Sequence, residues 1–137
     1  MSLPVVKRRK NALKRAQINE IRDQLRHWYT TSLVGRTLLR QEREHLEPVL
    51  NTLFGYHAVQ VGCLPGEDLL SQCRIPHRVV MDPDSGKPAH TVLCAYPDAL
   101  PIQSDSVDVV VLPHTLEFER APHEILREVD RVLIPEG

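Results

Sequence analysis

Two glycines bound the stretch Gly62-Cys63-Leu64-Pro65-Gly66, which directly follows an apolar run, and Asp82 stands sixteen residues beyond the second of them. Glycines let a loop backbone approach a ligand closely, and a helix starting behind such a loop offers free N–H groups. A carboxylate at the end of the next strand can accept from the two hydroxyls of a ribose. Together the three residues point to a crevice for a nucleoside-like ligand, although a glycine pair alone would also serve a plain tight turn. His114 follows a second apolar run, where a general base or a substrate contact could sit. It could equally cap a strand end. Glu117 either contacts substrate or starts the next element, and no catalytic residue is singled out by spacing.

The three cysteines, Cys63, Cys73 and Cys94, are odd in number and show no CxxC spacing. That pattern argues against a disulfide framework and a zinc site, so no metal is expected, and it fits reduced thiols in a cytoplasmic protein.

The elements that must position these residues fall into two regions. Residues 1–54 read as a helical region with a basic leader. A first helix over 12–29 would place Ile18, Ile21, Leu25 and Trp28 on one face. Thr30, Thr31, Ser32 and Gly35 break that pattern, and a second helix over 36–54 follows, with Leu39, Leu46, Val49, Leu50 and Leu53 as its apolar stripe. Pro48 should bend this helix or mark a new start, and Gly55 should close it.

From residue 55 onward short apolar runs alternate with loops and helices, as βαβ units do. Strands are expected at 57–61, 78–81, 91–95 and 107–112. A short helix at 67–72 and a strongly amphipathic one at 122–133 complete the set. The run Val107-Asp108-Val109-Val110-Val111-Leu112 suits a strand buried on both faces. In the last helix Ile125, Leu126, Val129, Val132 and Leu133 should face inward, with Arg127, Glu128, Asp130 and Arg131 outward. Asp105 and Asp108 read as turn and strand-entry residues.

Chain-wide properties exclude several classes. The 137 residues suit one modest core, and 42% hydrophobic with 26% charged residues is ordinary globular composition. No apolar run reaches the ~20 residues that cross a bilayer, so no membrane role is expected. Residues 1–27 carry eight Lys/Arg against two Asp/Glu, a balance of +6 within a net charge of −1. Without a nucleic-acid-binding motif beside it, this leader reads as a solvated helix face, and nucleic acid is not an expected partner. Met1-Ser2-Leu3 and Glu136-Gly137 look like vector-derived flanks, which would let the natural chain continue past Pro135.

Three blocks resemble a known family. Residues 98–111, Asp-Ala-Leu-Pro-Ile-Gln-Ser-Asp-Ser-Val-Asp-Val-Val-Val, are similar to the approach and fourth strand of type 11 methyltransferases. His114-Thr115-Leu116-Glu117-Phe118 stands at that family's His-x-Leu-Glu-His-like sequence. Residues 126–135 resemble its Leu-Arg-Glu-x-x-Arg-Val-Leu-Lys-Pro helix end. The region from Leu50 to Gly62, with Gly55-Tyr56-His57, is similar to a bacterial subgroup. The resemblance covers residues 57–135.

The resemblance implies an α/β fold: a partial doubly wound, Rossmann-like parallel sheet of about four strands, at residues 55–137, preceded by two N-terminal helices. It implies a class I methyltransferase-like domain using S-adenosylmethionine, with Gly62, Cys63, Gly66, Asp82, Asp98 and His114 as cofactor-binding residues and a methyl acceptor it does not identify. Two departures stand out: the family's loop reads Asp-x-Gly-x-Gly-x-Gly, whereas Gln60 takes the acidic place here and Leu64 the middle glycine. The adenine-contacting acid falls near Tyr96, with Asp98 two places on. With these changes, and with the chain ending before a fifth strand, this chain alone is expected to be inactive. The alternative is a non-catalytic Rossmann-like module acting by association, as a homodimer joined through the open strand edge or through the Trp28 and Leu39 helical faces.

Overall fold

The computed structural model describes residues 5–63, 68–83 and 93–137, with side chains from residue 14 onward. Two long helices, α1 (Val5–Thr31) and α2 (Leu33–Thr52), lead into the parallel strands β1 (His57–Val61) and β2 (His77–Asp82). Then come β3 (Leu93–Cys94), β4 (Val109–Val111), a 3-10 turn at Leu116–Phe118 and helix α3 (Pro122–Val132). The sheet order is β3-β2-β1-β4, every pairing parallel, with Ala58 opposite both Arg78 and Val109. This is the expected partial doubly wound sheet behind two N-terminal helices.

The short break between α1 and α2 is made at Ser32, whose hydroxyl accepts from Gly35 N at 2.8 Å and caps α2. Gly35 was expected to break the chain, yet it lies inside the first turn of α2. Its reason is proximity: a Cβ there would stand 2.5 Å from Trp28 O and 2.8 Å from Tyr29 Cα. α2 runs continuously through Pro48 and ends at Thr52, before Gly55. Gly55 serves a different purpose, because a Cβ there would collide with the Asp108 carboxylate. That carboxylate accepts from Tyr56 N at 2.8 Å and His57 N at 2.9 Å, fastening the start of β1 to the start of β4.

Strand alternation sorts the core into two layers. Val59, Val61, Met81 and Val107 pack with Leu100 and Val132 on the α3 face. Ala58, Leu70, Cys73 and Ile75 pack with Leu50, Leu46 and Leu53 on the α2 face. β4 is only partly buried, not buried on both faces, because among the described residues it pairs with β1 alone. Of the expected helix at 67–72, residues 68–72 are described and 69–72 form a turn, and Thr91 and Val92 of the expected third strand lie outside the described residues.

α3 corrects two expectations. Leu126 is exposed, and Glu128 and Arg131 grip the chain instead of facing water. Arg131 donates to Leu100 O at 3.0 Å and Ile102 O at 2.9 Å, while Glu128 Oε2 accepts from Leu100 N at 2.8 Å. The two side chains pair with each other at 2.8 Å, which is the main cause of the lowered Glu128 pKa and the raised Arg131 pKa.

Candidate functional site

In an open parallel sheet the carboxyl ends of the strands form the ligand crevice where strand order reverses, here between β1 and β4. Gly62 leaves β1 with φ +95° and donates its N–H to Met81 O at 2.7 Å. Thr115 donates to Val61 O at 2.6 Å, and a Cβ on Gly62 would lie 2.6 Å from that hydroxyl oxygen. The tight junction of β1 with the segment after β4 therefore requires glycine.

Cys63 N–H donates to Asp82 Oδ2 at 2.8 Å, and both residues are fully buried. Gly62, Cys63 and Asp82 are thus brought together as the sequence suggested. Gly66 and Leu64 lie outside the described residues. Gln60, in the place of the family's acid, has a structural role: Nε2 donates to Gly62 O at 3.0 Å and Oε1 accepts from Leu69 N at 2.8 Å. A carboxylate can only accept, so it could not replace both bonds.

No sequence signal announces what lies over Asp82. Arg22 and Arg26 of α1 bring Nη2 to 3.4 and 3.9 Å of Asp82 Oδ2, and Arg26 also donates to Cys63 O at 3.5 Å. The buried side of α1 is accordingly not the apolar stripe. Ile18 and Leu25 are half-buried, but Ile21 is 51% and Trp28 38% exposed, while Arg22 is 9% exposed and Tyr29 3%. Arg15 places its guanidinium carbon 4.9 Å from the Tyr96 ring centroid. Between Arg15, Arg22 and Ile18 on one side and Pro83, Tyr96 and Asp98 on the other remains a cleft of about 160 Å³. Glu119 also lines it; burial, then the nearby Asp98, raises its pKa above the ordinary value. Asp98 lines this cleft with Arg22, whose guanidinium reaches on to Asp82.

His114 occupies a second cluster. Its backbone has φ +51°, rare for a residue with a side chain. Nε2 lies 3.1 Å from Glu42 Oε1 and 3.3 Å from the Tyr29 hydroxyl, and Nδ1 lies 3.1 Å from Glu117 Oε1. Burial, then the Glu42 and Glu117 carboxylates, push the Tyr29 hydroxyl pKa above 10.0. An open, largely apolar groove of about 440 Å³ adjoins it, between Glu42, Leu46 and Val49 of α2 and Val111 and Leu112. His114 is joined to the Asp82 crevice through α1, which touches both, and not by direct contact.

The residues suit an adenosyl cofactor in kind, with an acidic Asp82 beside a close-running Gly62–Cys63 backbone. They do not suit it in space. Arg22 and Arg26 stand on the acceptor that a ribose would use.

Comparisons agree with this architecture. A methyltransferase domain model, type 11, matches residues 59–137. The uncharacterized protein YafS of Escherichia coli (strain K12) is 35% identical over 103 residues, covering 75% of this chain and 42% of YafS. A chain of the solved complex between the Haloferax volcanii Trm112 methyltransferase activator and a methyltransferase superposes with TM-score 0.54 at 22% identity, covering 93% of this chain and 55% of its own. The chain thus spans less than half the length of YafS. It belongs to the type 11 methyltransferase domain family and has the class I S-adenosylmethionine-dependent methyltransferase-like fold.

Proposed function

We propose that this chain is the cofactor-binding part of an S-adenosylmethionine-dependent methyltransferase and that it is inactive while Arg22 and Arg26 occupy Asp82. The observation that carries the reading is the pairing of Asp82 with Cys63 N–H, which puts a buried carboxylate at the end of β2 beside the glycine loop. In this reading Gly62, Cys63, Gly66, Asp82 and Asp98 contact the cofactor, and His114 completes the wall toward the methyl acceptor. Residues 1–54 form the unit that covers the crevice and 55–137 the sheet that contains it. No disulfide joins the three cysteines, which favours a cytoplasmic setting, and no described helix is long and apolar enough to cross a membrane.

The test is an amide NMR titration with S-adenosylhomocysteine. Saturable shifts at Gly62, Cys63, Asp82 and Asp98 are expected. No shift at millimolar ligand would contradict the reading.

A second reading, association without catalysis, is favoured by one observation. β4 leaves an edge unpaired among the described residues, and Val49 beside it is 54% exposed. It supports a homodimer or another protein partner; the complex that holds the structural neighbour includes an activator protein. Sedimentation at rising concentration tests it: a dimer is expected, and a monomer throughout would remove the homodimer.

A further inference from the structure

Arg15, Arg22, Arg26 and Tyr29 fall at steps of seven, four and three, which is one face of a helix. Each meets a different part of the carboxyl edge of the sheet. Arg15 covers Tyr96 beyond β3, Arg22 reaches Asp82 of β2, Arg26 reaches Asp82 and Cys63 O beyond β1, and Tyr29 meets His114 beyond β4. α1 therefore lies along the whole crevice instead of beside it. Its apolar residues Ile21 and Trp28 stay partly in solvent while two arginines are turned inward. Burying a guanidinium is costly unless a carboxylate meets it, so Asp82 is what holds this face of the helix down.

We propose that α1 is an autoinhibitory lid, latched by Arg22 and Arg26 on Asp82, and that a nucleoside ligand enters only by displacing these arginines from the carboxylate. The proposal rests on the cofactor reading above and adds its regulation. The ribose hydroxyls and the two guanidinium groups are donors competing for one carboxylate, which Arg22 and Arg26 already approach at 3.4 and 3.9 Å. A protein whose binding-competent form is a minor population shows an affinity reduced by that fraction. The closed chain should therefore bind cofactor weakly, and anything that draws α1 away should strengthen binding.

The experiment is calorimetric titration of S-adenosylhomocysteine into the full chain and into the double variant Arg22→Gln, Arg26→Gln, with folding checked by circular dichroism. The variant is expected to bind about tenfold or more tightly than the unaltered chain. Equal, measurable affinities would overturn the lid while leaving the cofactor reading intact. No binding by either folded protein would overturn both. If the variant does not fold, amide exchange of residues 14–31 in the unaltered chain decides: faster exchange at saturating ligand is expected, and unchanged or slower exchange would overturn the lid.

Discussion

Arg22 Nη2 stands 3.4 Å from Asp82 Oδ2, a pair separated by 60 residues of sequence and buried between α1 and the end of β2. That contact joins the helical region to the sheet at the point where the family resemblance places its cofactor. It makes Asp82 both a structural acceptor and a candidate ligand site.

Asp82→Ala should destabilise the fold, because Cys63 N–H and the two arginines lose a shared acceptor. A loss of about 1–3 kcal/mol in urea unfolding is expected, the scale for hydrogen bonds to a charged group. Unchanged stability would mean that the pair contributes nothing to folding.

Gln60→Glu restores the acid common in the family loop, yet it should weaken this chain. An ionised carboxylate cannot donate to Gly62 O and would be buried, a penalty of about 1–3 kcal/mol near neutral pH. Protonation restores a donor, so the deficit relative to the unaltered chain should shrink as pH falls. Urea unfolding at pH 7 and at pH 4.5 checks both signs, and equal deficits would contradict the argument.

Asp108 makes a pH-dependent contribution of the opposite sense. The His57 and Tyr56 N–H groups lower its pKa below the ordinary 3.8, so the folded state binds that proton less readily than the unfolded chain. The stabilisation is complete above 3.8 and fades as pH falls through the depressed value. Asp108→Asn should therefore lose melting temperature at pH 7 and show a flatter stability profile below pH 4. A parallel profile would rule the carboxylate out.

Gly62→Ala should cost roughly 1–3 kcal/mol through strained backbone alone, with the Thr115 hydroxyl adding a clash. Thermal unfolding reads this directly. Because Gly62 closes the loop over β1, Cys63 and Asp82 amide resonances should move in the same variant.

The sheet was legible in the sequence because β1, β2 and β4 are Val-rich runs bounded by loops, and a buried parallel strand leaves that mark wherever it occurs. α3 was legible for a similar reason: Ile125 and Val132 fix its inner face. Leu126 was misread because it flanks that face beyond the reach of the sheet. The turn of α1 was not legible. Its apolar period selects Ile18, Ile21, Leu25 and Trp28, whereas burial follows Arg22, Arg26 and Tyr29. No local pattern announces an acid 60 residues away that draws arginines inward. Glu128 and Arg131 were misread for the same reason, since their partners are backbone groups of the loop at 100–102. In the site, Gly62, Cys63 and Asp82 were readable from strand–loop spacing. Gln60 looked like damage to a motif, but its two bonds make it the tie that shapes the loop. Tyr29, Glu42 and Glu119 carried no signal at all, because helix residues enter a site only through packing.

The most direct measurement is the Arg22–Asp82 separation in a crystal structure of the chain with S-adenosylhomocysteine bound. Ribose hydroxyls are expected on the Asp82 carboxylate, with Arg22 and Arg26 withdrawn from it and α1 shifted off the crevice. A bound nucleoside lying elsewhere, or beside an Arg22–Asp82 pair still at 3.4 Å, would contradict it.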